Sequence, residues 1–143
     1  MAPVQRVITD RDFSQPPDRV FAYLAEHENL EVLFGAKVKR LRDGTDGERN
    51  GVGSVRQLKV GPLPPFEETV TEVIPNELIR YRITEGSPLR DHQGEMRFTP
   101  NPDGTHLHYE ISFGAAVPGL AAIVAAGLRR NIPKGLETVA SRA

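Results

Sequence analysis

The sequence contains no cysteine, which excludes disulfide bonds and thiolate chemistry and leaves the redox compartment undetermined. It also lacks an excess of charge of either sign, since 18 basic and 19 acidic residues give a net charge of −1. Without a basic excess, neither nucleic acid nor an anionic membrane surface is an expected partner. No repeat or linker divides the 143 residues, so we expect one domain over residues 1–143.

Long apolar runs are also scarce. The longest, residues 114–128, is interrupted by Pro118 and by glycines, and it is shorter than the roughly 20 residues that a membrane-spanning helix needs. Residues 1–6 lack the apolar run of a signal peptide. We therefore expect a cytoplasmic protein without stable membrane insertion.

The C-terminal residues 118–142 have the apolar spacing of a helix. Such a helix of about 25 residues would be roughly 37 Å long, enough to cross a small domain. Its first half, residues 120–128, is apolar on every side and so requires cover on every side. A sheet curled around the helix is the simplest cover, and it leaves room for a ligand cavity. The apolar stripe consists of Leu120, Ile123, Val124, Leu128, Ile132, Leu136 and Val139.

The upstream residues have strand character in short segments that end at turn residues. Residues 14–34 are the exception, since they predict two short helices, the first opened by Ser14 and the second running from His27 to Phe34. Short turns between consecutive strands predict an antiparallel meander. The expected fold class is α+β, a seven-stranded antiparallel sheet curled around a long C-terminal helix. The predicted strands are residues 4–9, 37–42, 52–60, 66–74, 78–85, 92–99 and 105–113.

Alternation of apolar side chains assigns one face of each predicted strand to the interior. The same parity turns several polar side chains inward, and pairing of the hairpins through their turns brings those side chains together. Met96 is expected to face Tyr109 in this arrangement. The predicted polar cluster consists of Arg56, Glu68, Glu72, Tyr81, Glu85 and His92, on an otherwise apolar wall.

Three roles fit this cluster, and the residues alone leave all three open. It can be a structural ion network, lining a water-filled cavity or lying on the outer surface. It can orient the polar group of an otherwise apolar ligand. It can also be catalytic, with His92 and Glu85 as a proton-transfer pair and Tyr81 assisting.

Two loops are expected at the same end of the meander, residues 61–65 and residues 86–91. The first loop is stiff and has Leu63 at its tip, so it fits either a lid over the cavity or an ordinary proline-rich hairpin loop. Leu63 and Phe34 are predicted to join Met96 and Tyr109 in contacting the ligand.

The histidines outside the predicted cluster give weaker signals. His106 and His108 share the outer face of their strand without an evident third ligand, so no metal site is predicted, and no cofactor is predicted either. His27 is expected on a solvated helix face.

The order of elements resembles the START-like, or SRPBCC, helix-grip superfamily. The resemblance implies a cavity between sheet and C-terminal helix that binds a small hydrophobic ligand, either lipid-like, polyketide or aromatic. An alternative that it implies is a polyketide cyclase or dehydratase, and a homodimer is a further option. Four short sequence segments are similar to the bacterial polyketide cyclase/dehydrase-type branch: residues 16–24, 51–56, 70–75 and 103–105.

Overall fold

The computed structural model describes residues 4–143, and within them seven strands form one antiparallel sheet in the order β1-β7-β6-β5-β4-β3-β2. Two short helices separate β1 from β2, and a long helix ends the chain, so the predicted α+β architecture is confirmed. The elements are β1 (Gln5–Phe13), α1 (Pro17–Ala25), a 3₁₀ turn (His27–Leu30), α2 (Glu31–Phe34), β2 (Lys37–Arg42), β3 (Val55–Lys59), β4 (Phe66–Ile74), β5 (Leu78–Glu85), β6 (Leu89–Asn101), β7 (Gly104–Ala115) and α3 (Leu120–Arg142).

Several boundaries follow directly from turn chemistry. Strands β2, β4 and β5 begin and end where the sequence predicts. Strand β3 is shorter than predicted, because Gly53 adopts a left-handed φ of 88° and its N–H bonds to the carbonyl of Val70 outside the regular ladder. Helix α3 begins at Leu120 rather than Pro118, since Gly119 has a left-handed φ of 81°. The expected cap by Ser14 is absent; α1 starts after Pro16 with no side-chain cap.

Helix α3 packs across the concave face of the sheet and against α2. Helix α3 approaches α2 closely at Gly135, where an added Cβ would lie 2.3 Å from the carbonyl oxygen of Val32. Only glycine permits this approach. At the far end of α3, Gln15 donates a hydrogen bond to the carbonyl of Ala140 at 2.7 Å and so ties the helix to the loop after β1.

The prediction that residues 120–128 are covered on every side is wrong. Ile123 is 72% exposed, whereas Ala121 and Ala125 are buried. The helix lies on one face of the sheet, so its opposite side meets solvent. Leu120, Val124 and Leu128 are partly buried because they line a cavity rather than a filled core.

The core occupies the space between the sheet and α3. Strand β7 shows the clearest alternation, with Leu107, Tyr109, Ile111 and Phe113 all at most 2% exposed. Fully burying side chains of this size contributes about 1.5–3 kcal/mol each. Ile111 and Phe113 also line an open volume, which extends from β7 toward β3, β4 and β5.

Candidate functional site

A cavity of about 470 Å³ lies between the concave face of the sheet and helix α3. Its wall is mainly apolar, with Phe34 from α2 and side chains from β3, β4, β5, β6, β7 and α3. The two loops predicted at one end of the meander both reach it. Leu63 and Pro64 come from the first loop and Pro88 from the second. Polar groups are concentrated where β4, β5 and β6 run side by side.

The polar end of the cavity, where β4, β5 and β6 run side by side, contains a buried ion pair. Arg56 on β3 lies directly opposite Glu68 on β4. Its Nε donates to Glu68 Oε1 at 2.9 Å, and its Nη2 lies 2.9 Å from the same oxygen without hydrogen-bond geometry. The two side chains are only 3% and 5% exposed. Charges this deeply buried are tolerated because they are paired.

Tyr81 lies against this ion pair. The Arg56 guanidinium carbon is 4.6 Å from the centre of the Tyr81 ring, a cation–π contact. The Tyr81 hydroxyl forms a hydrogen bond with the Tyr109 hydroxyl. Burial raises the pKa of both tyrosines, so both remain protonated at neutral pH.

The ring of Tyr81 requires glycine on the neighbouring strand. Gly94 is the residue of β6 opposite Tyr81. A Cβ at this position would lie 2.2 Å from the Tyr81 Cζ atom, well inside contact distance. Gly94 thereby lets the ring lie flat across β6, where it reaches Tyr109.

The side chain of His92 continues the hydrogen bonding between β5 and β6 beyond the last backbone pair. Regular pairing of these strands ends at Tyr81 and Gly94, and beyond it His92 Nδ1 accepts a hydrogen bond from the Ile83 N–H at 3.0 Å. The proton of the neutral ring is therefore on Nε2. Burial, assisted by the nearby Arg56 charge and opposed by Glu68, lowers the pKa of His92, so the ring is neutral at pH 7.

The structure brings most of the predicted site residues together. Five of them line the cavity: Phe34, Leu63, Glu68, Tyr81 and His92. Three more are buried without lining it: Arg56, Met96 and Tyr109. Met96 is the cross-strand partner of Tyr109, as the sequence predicts. Which of these residues contact a ligand remains a prediction.

The inward placement of Glu72 is wrong. The register between β4 and β5 shifts between Val70 and Glu72, which inserts Thr71 as an extra residue and reverses the alternation beyond it. Glu72 consequently lies on the outer face, where it forms a 2.6 Å ion pair with Arg80. Val73 packs on the core in its place.

The inward placement of Glu85 is wrong for the same reason. A second register shift in this pair of strands makes Thr84 the extra residue and sets Glu85 opposite Glu67. Glu85 is exposed and does not line the cavity. The proton-transfer pair predicted from Glu85 and His92 is therefore not assembled; the carboxylate near His92 is Glu68.

Sequence reasoning also missed a buried histidine. His27, predicted to be solvated, is 0% exposed, and its Nε2 lies 3.1 Å from Ser54 Oγ. The Ser54 hydroxyl donates to the Gly51 carbonyl at 2.6 Å, so it accepts from His27. Burial, with Arg56 and Arg40 adding to it, lowers the pKa of His27 to about 3.

Asn131, a polar side chain of α3 at the cavity, was also missed by sequence reasoning. Its only signal was its place among the apolar residues of the stripe.

The outer histidines lie within hydrogen-bonding distance of two aspartates of β1. His106 lies within 2.9 Å of oxygens of both Asp10 and Asp12, and His108 lies 2.8 Å from Asp10. Over residues 4–143, no group of three or more potential metal-ligating side chains has an arrangement that could hold an ion. In the same part of the chain, no helix has the length and apolar character needed to cross a bilayer.

Comparisons with known proteins agree with this architecture. The protein TTHA0849 from Thermus thermophilus is similar, with a TM-score of 0.77 and 20% identity over 96% of each chain. The Zhui aromatase/cyclase from a Streptomyces species has a TM-score of 0.72 and 20% identity, covering 97% of this chain and 93% of its own. Norcoclaurine synthase from Thalictrum flavum, in complex with dopamine and hydroxybenzaldehyde, has a TM-score of 0.71 and 13% identity, covering 99% and 86%.

No curated protein matches the sequence closely enough to compare. The family model described as polyketide cyclase/dehydrase and lipid transport, however, matches residues 4–143. This match covers every strand and helix described above, and it confirms the resemblance to the cyclase/dehydrase branch of the helix-grip superfamily. The chain belongs to the polyketide cyclase/dehydrase and lipid transport family.

Proposed function

We propose that the chain acts as one ligand-binding domain over residues 1–143 and holds a small hydrophobic molecule between the sheet and α3. The supporting observation is the cavity itself. Its volume of about 470 Å³ lies in the range of small-molecule sites, and its wall combines apolar side chains with a few convergent polar groups. A cytoplasmic location, the absence of a nucleic-acid partner and the option of a homodimer stay predictions.

Membership of the family supports a lipid-like, polyketide or aromatic ligand. The family description names both polyketide cyclases and lipid transport. Among the similar structures, one is an aromatase/cyclase and another holds dopamine and hydroxybenzaldehyde. The aromatic rings and hydrocarbon chains of such ligands fit a wall built from Phe34, Phe66 and Phe113.

A pair of tryptophan substitutions on α3 tests binding. Val124 lines the cavity, whereas Ile123, its neighbour in sequence, is 72% exposed. We expect Nile red, an apolar fluorescent dye, to bind the wild-type protein saturably at one site. Val124→Trp should fill the cavity and weaken binding at least about tenfold, while Ile123→Trp should leave it unchanged. Absence of saturable binding to the wild type, or equal binding by both variants, would contradict the proposal.

A cyclase or dehydratase activity is the second candidate, because His92 Nε2 and Glu68 Oε2 face each other 3.9 Å apart at the cavity. A neutral imidazole and a carboxylate can move a proton to and from a bound ligand. Tyr81 lies close by, with its ring centre 5.7 Å from that of His92. We expect an aromatic polyketide precursor to be converted by the wild type and not by His92→Gln. Equal conversion by the two proteins would contradict the catalytic role.

A further inference from the structure

Two polar side-chain atoms face each other at the wall of the cavity. Neither has a hydrogen-bond partner within the described residues 4–143. Glu68 uses Oε1 for Arg56, which leaves Oε2 free, and His92 uses Nδ1 for the Ile83 N–H, which leaves Nε2 free. The two free atoms are 3.9 Å apart. Their side chains are 5% and 6% exposed, yet both line the cavity.

The chemistry of each free atom is fixed by its other contact. Because His92 Nδ1 accepts from Ile83, Nε2 carries the proton and is a donor. Glu68 Oε2 belongs to a carboxylate paired with Arg56, so it only accepts. A distance of 3.9 Å is too long for a direct hydrogen bond. A single oxygen placed about 2.8 Å from each atom would bridge them, with an angle of roughly 90° at that oxygen.

Such a bridging group must accept from His92 and donate to Glu68. A hydroxyl does both with one atom. A carboxylate has no proton to donate to Glu68, and its negative charge is repelled by the charge of Glu68. An ammonium has no lone pair for His92, and an ether has no proton for Glu68. Because Arg56 neutralises Glu68 and His92 is uncharged, the polar end has no net charge to attract an ionic head group.

We propose that Glu68 and His92 together select ligands with a hydroxyl group, an alcohol or a phenol, over acids, amines and ethers of equal size. This inference rests on the proposed function, since it names the ligand class of the same cavity. It makes Glu68 the acceptor and His92 the donor for one ligand oxygen. The apolar wall and α3 then enclose the remainder of the ligand.

Competition against Nile red at pH 7.5 tests the selectivity with four ligands of matched length. These are 1-decanol, 1-methoxynonane, decanoate and decylammonium. We expect 1-decanol to bind at least about tenfold more tightly than each of the others, since only it makes both bonds. If the ether or decanoate binds as tightly as the alcohol while Nile red binds, the inference fails and the proposed function stands. If neither dye nor decyl ligand binds, both are overturned.

A matched pair of variants assigns the selectivity to His92. His92→Asn places an amide oxygen where Nδ1 accepts from Ile83 and removes the Nε2 donor. We expect it to weaken 1-decanol binding about tenfold. Gln93→Asn, a change of the next residue, which is exposed, should leave decanol binding unaltered. Equal decanol affinity in His92→Asn and the wild type would overturn the role of His92, and the ligand series in the wild type tests the inference independently of either variant.

Discussion

Acid should destabilise this protein through His27, a residue outside the cavity. The ring is 0% exposed, and its Nε2 donates to Ser54, whose own proton is committed to the Gly51 carbonyl. Its Nδ1 is buried and has no hydrogen-bond partner within residues 4–143. A proton added there would create a buried charge with no acceptor, and for this reason the pKa falls from 6.5 to about 3.

The size of the effect follows from the difference between the folded and unfolded pKa values. The unfolded chain binds the proton as the pH falls through about 6.5, whereas the folded chain resists it down to about 3. The contribution of His27 to stability is therefore complete above pH 6.5 and is lost progressively below it. Between pH 7 and pH 5 the loss is about 2 kcal/mol of unfolding free energy. At pH 5 the folded ring is still neutral, so the unfolded pKa sets this figure.

Urea denaturation at pH 7 and pH 5, for the wild type and His27→Gln, measures the effect. Glutamine can donate to Ser54 from its side-chain amide but does not titrate. The wild type should lose about 2 kcal/mol more than the variant between the two pH values. Contributions from His92, whose pKa is lowered, and from His106, whose pKa is raised, are common to both proteins and cancel. Equal pH dependence would refute the reasoning.

Two further predictions concern packing around the polar end. Gly94→Ala places a Cβ 2.2 Å from the Tyr81 ring and should lower the free energy of unfolding by about 1–3 kcal/mol in thermal melts. The control is Gly114→Ala, whose new Cβ has no atom within 4 Å. This change should alter the free energy of unfolding by less than about 0.5 kcal/mol. Arg56→Met, which leaves Glu68 buried and unpaired, should cost about 3–5 kcal/mol in urea denaturation, and adding Glu68→Leu should recover much of that loss. Equal losses for the two glycine variants, or a double variant less stable than Arg56→Met, would contradict these assignments.

The fold was largely predictable because its determinants are local. Strand ends at β2, β4 and β5 are set by glycine and proline turns, which the sequence displays directly. The face of β3 that carries Arg56 was also predicted correctly. Pairing the hairpin through its turn predicts Val70 opposite Arg56, whereas the structure places Glu68 there. The predicted register between β3 and β4 is therefore wrong by two residues. A shift by an even number of residues leaves every side chain on the same face of the sheet.

The errors at the site come from features without a sequence signal. The extra residues Thr71 and Thr84 each reverse the alternation beyond them, and no turn residue marks either bulge. The placement of His27 failed because it opens a 3₁₀ turn, whose three residues per turn change the phase expected of an α-helix. The cavity volume depends on the distance between α3 and the sheet, which only tertiary packing determines.

Whether the cavity holds a ligand is tested most directly by native mass spectrometry of the protein purified from its own host under non-denaturing conditions. We expect the wild-type protein to carry one non-protein molecule per chain, released on denaturation. Ile123→Trp should retain this adduct, and Val124→Trp, which fills the cavity, should lose it. A wild-type mass equal to that of the bare chain, or an adduct of equal abundance in Val124→Trp, would contradict the proposal that this cavity is the binding site.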